Sequence, residues 1–385
     1  MIVSDVCIVS AKRTPIGRFL GALSGLTSVD LAVHAAASAL SAVPRSMVDQ
    51  VIVGNVLSAG QGMNVARQIG VRLDLPLSTP AFTVNMMCGS GLQAVLLGAQ
   101  SIQAGHADVV LCGGTESMSQ SPHILPRSRT GVKFGDKPLI DTVLRDGLVD
   151  AFSGEHMATT AERLASRYGI SRQQQDDYAL LSQQRCAASV ERNAFAEEIV
   201  ALPELAVDEH PRPDTTAEHL SDLRPAFSND GTITAGNASG INDGSAMLLL
   251  ARECVARQNG WPVLARLTAA TVIGCDPAEM GLGPVHAVRR LCETTGTGLN
   301  VYDEIEINEA FAAQTLACLH ELKLGAESVN VSGGAIALGH PIGSSGARLA
   351  VHLSQKIAAG TIGTGLAALC VGGGMGIAVS LASGR

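Results

Sequence analysis

Aromatic side chains are scarce in this chain, with one Trp, three Tyr and seven Phe among 385 residues. Charge is scarce as well: 16% of residues are charged while 46% are hydrophobic. That balance excludes intrinsic disorder. The apolar mass is Ala, Val, Leu and Ile, which suits tight layers of helix on sheet. Basic residues are outnumbered, 27 Lys and Arg against 35 Asp and Glu, and a net charge of −8 excludes general binding to nucleic acid or to an anionic membrane. Binding of an anion would need a local cluster of basic or backbone donors. No two of the nine cysteines stand at C-x-x-C spacing, which argues against a disulfide framework or a structural zinc site and for a reducing compartment. The 42 glycines have no three-residue period, so collagen is excluded.

At 385 residues the length suits about two to three domains. No secretory segment is expected at the start: residues 1–10 alternate like a strand and run into Lys12-Arg13-Thr14-Pro15. The ending Ser383-Gly384-Arg385 carries no peroxisomal signal, and cytoplasm is the expected location. Residues 357–384 are uncharged and long enough to cross a bilayer. Eight glycines interrupt them, so they read as two buried strands, 365–371 and 376–381, around a glycine turn.

The first 117 residues alternate strand and helix signals. Strands are predicted over 3–10, 50–56, 81–87 and 107–112, and helices over 28–40, with Ser28 as N-cap, and 92–104. From Ser117 proline, serine and basic residues crowd in; helices follow over 159–168 and 171–193, then a loop-rich stretch over 203–230. This is read as an inserted region, 118–240. Afterwards α/β texture returns, with strand signals at 245–250, 261–274 and 329–331 and helices over 285–293, 308–322 and 347–359. The two α/β stretches echo each other. Val109 to Gly114 parallels Ala368 to Gly373, and a Gly/Ser-rich turn and a helix precede each: Cys88-Gly89-Ser90-Gly91 and Gly343-Ser344-Ser345-Gly346. A duplicated α/β fold with a site between its halves is the economical reading.

Cys88, in Asn85-Met86-Met87-Cys88-Gly89-Ser90-Gly91, is expected where a strand ends and a helix begins. Unpaired N–H groups and the positive dipole end there would lower a thiol pKa. On position alone, a nucleophile and a plain core cysteine are equally good readings. His340 lies in a glycine-dense loop, Gly333 to Gly346, and Pro341 holds its backbone out of the helical region. A tight, irregular loop is a costly way to place an idle imidazole, so function is favoured over a turn histidine. Cys370 ends an apolar strand and opens the turn Gly372-Gly373-Gly374, whose N–H groups could stabilise an oxyanion. Asn308, in Asn308-Glu309-Ala310-Phe311, is expected to start a helix, either as a cap or as the holder of a water or carbonyl. A nucleophilic thiol, a base, oxyanion donors and a second thiol able to move a proton at carbon form a set suited to acyl transfer.

Together these four motifs, in this order and spanning nearly the whole chain from Arg13-Thr14-Pro15-Ile16-Gly17, resemble the thiolase family. The resemblance implies two similar halves stacked as a five-layer αβαβα fold with an inserted loop domain. The division would be 1–117 plus 241–262, a CoA-binding and oligomerising loop domain 118–240, and 263–385. It implies Cys88 as acyl-accepting nucleophile, His340 as its activator, and Cys370 as the base at the acetyl carbon. Asn308 would hold a water in one oxyanion hole; the N–H groups of Cys88 and Gly372 would form the other. Coenzyme A would contact Ser239, Leu148, His156, Met157, Ala235, Ala310 and Phe311, with Arg212 near the nucleotide phosphates, and Met157 and Met280 would narrow the acyl pocket. The implied activity is reversible condensation of two acetyl-CoA, with no tightly bound cofactor and coenzyme A and acetyl-CoA as substrates. The implied assembly is a homodimer or homotetramer. Cleavage of longer 3-ketoacyl-CoA is the nearest alternative. A cysteine protease using Cys88, His340 and Asn308 explains neither Cys370 nor the duplication, and a non-catalytic acyl-CoA binder does not explain why all four positions are intact.

Overall fold

A computed structural model describes residues 1–384; Arg385 of the C-terminal tripeptide lies outside the described residues. In chain order the strands of the main sheet and the helices packed on it begin with β1 (Val6–Arg13), β2 (Gly17–Arg18), α1 (Ser28–Ala39), β3 (Gln50–Gly54), α2 (Val65–Arg72), β4 (Ala81–Val84), α3 (Ser90–Gln103) and β5 (Val109–Ser117). A segment follows that holds the helices α4 (Met157–Tyr168), α5 (Arg172–Glu191) and α6 (Ala217–Ser221), the last inside the stretch expected to be loop. The chain then returns to the sheet with β6 (Asn242–Arg252), α7 (Glu253–Gln258), β7 (Ala265–Gly274), α8 (Gly283–Thr295), β8 (Glu304–Ile307), α9 (Ala312–Leu322), α10 (Ala335–Leu338), α11 (Ser345–Ala358), β9 (Thr364–Val371) and β10 (Met375–Ala382).

The sheet order is β8-β9-β10-β7-β1-β6-β5-β3-β4, with β2 beside β6. β1 and β7 meet only at Cys7–Arg266 and Ile8–Ala265, so this joint divides the sheet in two. On one side β3, β5, β6 and β1 pair as parallel, antiparallel, antiparallel. On the other, β8, β9, β10 and β7 repeat the same pattern. β9 and β10 form a hairpin across Gly372–Gly374, whereas the matching β5 and β6 are separated by residues 118–241. The insertion therefore sits where the second half has a tight turn. The uncharged C-terminal run is this hairpin, and among the described residues no helix is long and apolar enough to cross a membrane.

α3 and α11 form the middle layer. Leu92, Val95, Ala99 and Ile102 of α3 and Leu349 and Leu353 of α11 are fully buried in one core with side chains from both half-sheets. Each large aliphatic side chain so buried stabilises the fold by about 1.5–3 kcal/mol. α1 and α2 cover the outer face of the first half, and α8 and α9 that of the second, which completes the five layers. Local signals account for the helix starts. Thr27 and Asp30 form a capping box for α1, and Ser171 and Gln174 one for α5. The cap of α1 is thus Thr27; Ser28 is buried, and its Oγ accepts the Ser117 N–H at 3.0 Å.

Several expected elements are shorter than their patterns. β4 stops at Val84 because the chain must turn before Cys88. α9 begins at Ala312 with Phe311 as its cap, leaving Asn308 and Glu309 in a buried connection. Val329 makes only an isolated bridge to Ile305, and Asn330 has a left-handed φ of 53° that ends pairing. Buried polar ties hold the inserted segment on the sheet. Arg13 of β1 pairs with Glu198 at 2.8 Å and Asp208 at 2.7 Å. Glu309 accepts the hydroxyls of Tyr178 at 3.0 Å and Ser182 at 2.7 Å.

Candidate active site

Between β4 and α3 the chain makes a tight turn that presents Cys88. Met87 has φ 47°, the left-handed region that costs a non-glycine residue about 1–3 kcal/mol unless its surroundings enforce it. Here they do. The Met87 N–H donates to Asn85 Oδ1 at 3.0 Å, and Ser90 Oγ accepts the Met86 N–H at 2.8 Å while donating to the Met87 carbonyl at 2.7 Å. α3 starts at Ser90 with Gly89 as its cap, so Cys88 lies just ahead of the helix. The Gly372 N–H and the residue's own N–H donate to the Cys88 sulfur. They do not lower its pKa below the ordinary value, as the helix start had suggested. Burial dominates and, with Glu116 nearby, holds the thiol at about 11.

His340 is placed by its backbone and by its ring. Gly339 has φ 100°, and a Cβ there would meet the Asn242 amide at 2.6 Å, so glycine is required. The His340 N–H donates to Asn242 Oδ1 at 2.9 Å, and Asn242 Nδ2 donates to the Gly17 carbonyl at 2.9 Å. Nδ1 of the ring lies 2.6 Å from Ser345 Oγ, whose hydroxyl donates to the Pro341 carbonyl at 3.0 Å. With that proton committed, Nδ1 carries the ring proton and Nε2 keeps its lone pair. Nε2 is buried and has no protein partner. Burial, with Arg348 second, lowers the imidazole pKa to about 4, so the ring is neutral at pH 7.

One carboxylate joins this loop to the other half. Glu116 at the end of β5 accepts the N–H groups of Val56 at 3.0 Å, Leu57 at 3.2 Å and Gly343 at 3.0 Å. A Cβ on Gly114 would lie 2.1 Å from the Gly343 carbonyl oxygen, so only glycine lets the histidine loop seat against β5. Burial raises the Glu116 pKa to about 7 against the pull of those three donors.

Cys370, the penultimate residue of β9, is 1% exposed. Burial, and then the neighbouring Cys88 thiol, push its pKa well above the ordinary value. Cys88, His340, Cys370 and Gly372 line one cavity of about 50 Å³ together with Leu148, Met157, Ser239, Met280, Ala310 and Phe311. Ser239 donates both its N–H and its hydroxyl to the Ala310 carbonyl at 3.0 Å, which ties this wall to the inserted segment. Four predicted residues do not line the cavity. Asn308 is fully buried, and neither of its side-chain polar atoms has a protein partner. His156 caps α4 through Nδ1, at 3.1 Å from the Ala158 N–H, and stacks on Phe227 at 4.4 Å. Arg212 reaches the carbonyl of the exposed Ala235 at 3.4 Å.

Asn242, Ser345 and Glu116 were missed as site residues. Their signals were polar residues placed against apolar runs: Asn242-Asp243 opening β6, Glu116 closing β5, and the serine pair in the histidine loop. A larger apolar hollow of about 510 Å³ lies between α5 and residues 195–213, away from these groups. Glu304, Glu306 and His352 approach one another closely enough to suggest a metal. They are already engaged, Glu304 with Lys356, Glu306 with Arg348 at 3.5 Å, and His352 with Glu198 at 3.0 Å.

The chain matches the family descriptions "Thiolase, N-terminal domain" over residues 6–254 and "Thiolase, C-terminal domain" over residues 261–383. It is 47% identical over 389 aligned residues to an acetyl-CoA acetyltransferase of Pseudomonas aeruginosa, covering 98% of this chain and 99% of that protein. It is 49% identical to a probable acetyl-CoA acetyltransferase of Escherichia coli, covering 98% of each. The crystal structure of human mitochondrial 3-ketoacyl-CoA thiolase in complex with CoA superposes with a TM-score of 0.96 at 44% identity, covering 99% of this chain and 98% of that one. Two matched halves, a duplicated fold and two thiols facing a buried imidazole agree: the chain belongs to the thiolase family of acyltransferases.

Proposed function

We propose that this thiolase is an acetyl-CoA C-acetyltransferase, condensing two acetyl-CoA to acetoacetyl-CoA and CoA through an acetyl-cysteine. The observation that carries this reading is that two thiols and an imidazole lone pair share one small cavity, with two backbone N–H groups aimed at one of the sulfurs. His340 Nε2 takes the Cys88 proton as the sulfur attacks the thioester carbonyl. The carbonyl–sulfur bond of acetyl-CoA breaks, the acetyl group stays on Cys88, and Cys370 gives its thiol proton to the departing CoA thiolate, which leaves Cys370 as thiolate and His340 protonated. The N–H groups of Cys88 and Gly372 hold the developing oxyanion. In the second half-reaction the Cys370 thiolate so formed removes a proton from the methyl carbon of another acetyl-CoA and is a thiol again. The carbanion attacks the acetyl group, and Cys88 leaves as thiolate and takes its proton back from His340. His340 and a water held by the unpartnered amide of Asn308 stabilise the enolate oxygen.

Coenzyme A lies along Leu148, Met157, Ser239, Ala310 and Phe311, with His156, Arg212 and Ala235 further out on the inserted segment. The human relative bound to CoA supports CoA as the common substrate portion. The working division is 1–117 plus 241–262, a loop domain 118–240, and 263–385. A homodimer or homotetramer fits the free sheet edge at β4, where Phe82 is exposed, and the bare Phe134. Nine free thiols suit the cytoplasm. The human relative, a 3-ketoacyl-CoA thiolase, keeps a broader 3-ketoacyl-CoA thiolase as the second reading.

CoA-dependent thiolysis of acetoacetyl-CoA and of six- and eight-carbon 3-ketoacyl-CoA, with Cys88→Ser alongside, tests this. Turnover of acetoacetyl-CoA above the others, lost in the variant, supports the acetyltransferase. Equal or better turnover of the longer substrates moves the function to a broad thiolase, and no turnover of any substrate overturns both.

A further inference from the structure

The catalytic cavity holds little more than a short acyl group, but an open cleft of about 570 Å³ lies directly beside it. Its apolar wall includes Val56, Ala59, Met87, Val149 and Phe152, and Arg145, Asp146 and Asp150 also line it. Gly147, Met157 and Gly372 line both volumes, so only a thin partition separates them. The position a Cβ would take on Gly372 lies 3.6 Å from Met157 Sδ and 3.6 Å from Met87 Cε. Two thioether side chains thus lie against the glycine whose N–H serves the Cys88 sulfur. Met87 cannot swing away as a backbone unit, since the hydrogen bonds of Asn85 and Ser90 hold the turn. Its unbranched side chain, by contrast, can change rotamer.

We propose that Met87 determines acyl chain length: with Met157 it closes the passage from the acyl cavity into this cleft, and the cleft is the path for the tail of a medium-chain 3-ketoacyl-CoA. The occupant is a substrate tail because the cleft abuts the acyl cavity across this partition, with Gly147, Met157 and Gly372 common to both, and is apolar along that wall. This rests on the thiolase reading of the site and adds a residue that sets its substrate class.

The test compares kcat/KM for thiolysis of acetoacetyl-CoA with that of the six- and eight-carbon 3-ketoacyl-CoA. In Met87→Ala the ratio of eight-carbon to four-carbon substrate rises about ten-fold or more, since a pocket gains that much for each methylene it newly accommodates. Met87→Gly suits the left-handed backbone and serves as the second variant should the alanine protein fold poorly. Met87→Leu keeps the partition and leaves the ratio within about two-fold of the parent. Ala59→Phe fills the cleft, leaves acetoacetyl-CoA turnover unchanged and cancels the gain when combined with Met87→Ala. Equal effects on all chain lengths in both the alanine and glycine variants overturn the proposal, as does a gain that persists with Phe at position 59. Failure of the thiolase reading itself is separate, because the parent protein would then turn over none of the three substrates.

Discussion

Asn242 holds His340 by its backbone: Oδ1 of the amide accepts the His340 N–H at 2.9 Å across 98 residues of sequence. The other end of the same amide donates to the Gly17 carbonyl, so one side chain locks the histidine loop to the start of the first half. Asn242→Ala is expected to lower kcat about 100-fold with little change in KM, because a displacement near 1 Å is enough to spoil attack geometry. Steady-state kinetics check the split. A rise in KM at constant kcat would show that Asn242 serves binding instead of positioning.

Ser345 sets which ring nitrogen of His340 carries the proton. Ser345→Ala removes the partner of Nδ1 and frees the other tautomer, with an expected kcat loss of about ten-fold or more. Ser345→Thr keeps a hydroxyl and should recover part of it. In the parent enzyme the acid limb of kcat/KM falls near pH 4, where burial has placed His340. An acid limb at pH 6.5 would contradict that placement.

The Cys88 thiol is neutral at pH 7, its pKa raised by burial to about 11. Only thiolate is alkylated, so the iodoacetamide rate at Cys88 should climb about ten-fold per pH unit between pH 7 and 10. Peptide-resolved mass spectrometry separates Cys88 from the exposed Cys254. A rate that is flat over this range would mean a preformed thiolate.

Glu198 is raised by burial, yet Arg13 and His352 outweigh that and hold it at about 2, against an ordinary 4.5. A carboxylate depressed in the folded state stabilises the fold fully above its unfolded pKa and loses that contribution as pH falls towards 2. The stability gap between the parent and Glu198→Gln should therefore be constant above about pH 5 and shrink below it. Urea unfolding at pH 7, 5 and 4 measures this. A gap that widens on acidification would reverse the sign.

Much of the site was legible because its signals are local. A strand, a glycine turn and a helix around Cys88, a glycine-dense loop around His340 and a glycine turn after Cys370 can each be read from a dozen residues. The same locality explains the misreadings. Helical periodicity continues upstream of Ala312 and so predicts Asn308 in a helix, whereas a tight turn with the Ala310 N–H on the Asn308 carbonyl at 3.1 Å leaves Asn308 and Glu309 buried ahead of it. Dipole reasoning at Cys88 predicted a lowered pKa because the helix start is visible in the sequence and the desolvation around it is not.

The sequence by itself determined the layered α/β texture, the duplication, the acidic surface and the three side chains that face one another in the cavity, because periodicity and turn chemistry act over short stretches of chain. The tertiary structure alone decided that the sheet divides at the short β1–β7 joint and that Glu116 ties Gly343 to a loop in the other half. It also decided that Asn242 anchors His340 and that Met87 and Met157 both lie against Gly372. These are contacts between residues tens to hundreds of positions apart, set by how the layers stack. Burial, which pushes the thiols up and the imidazole down, likewise exists only once the layers have closed.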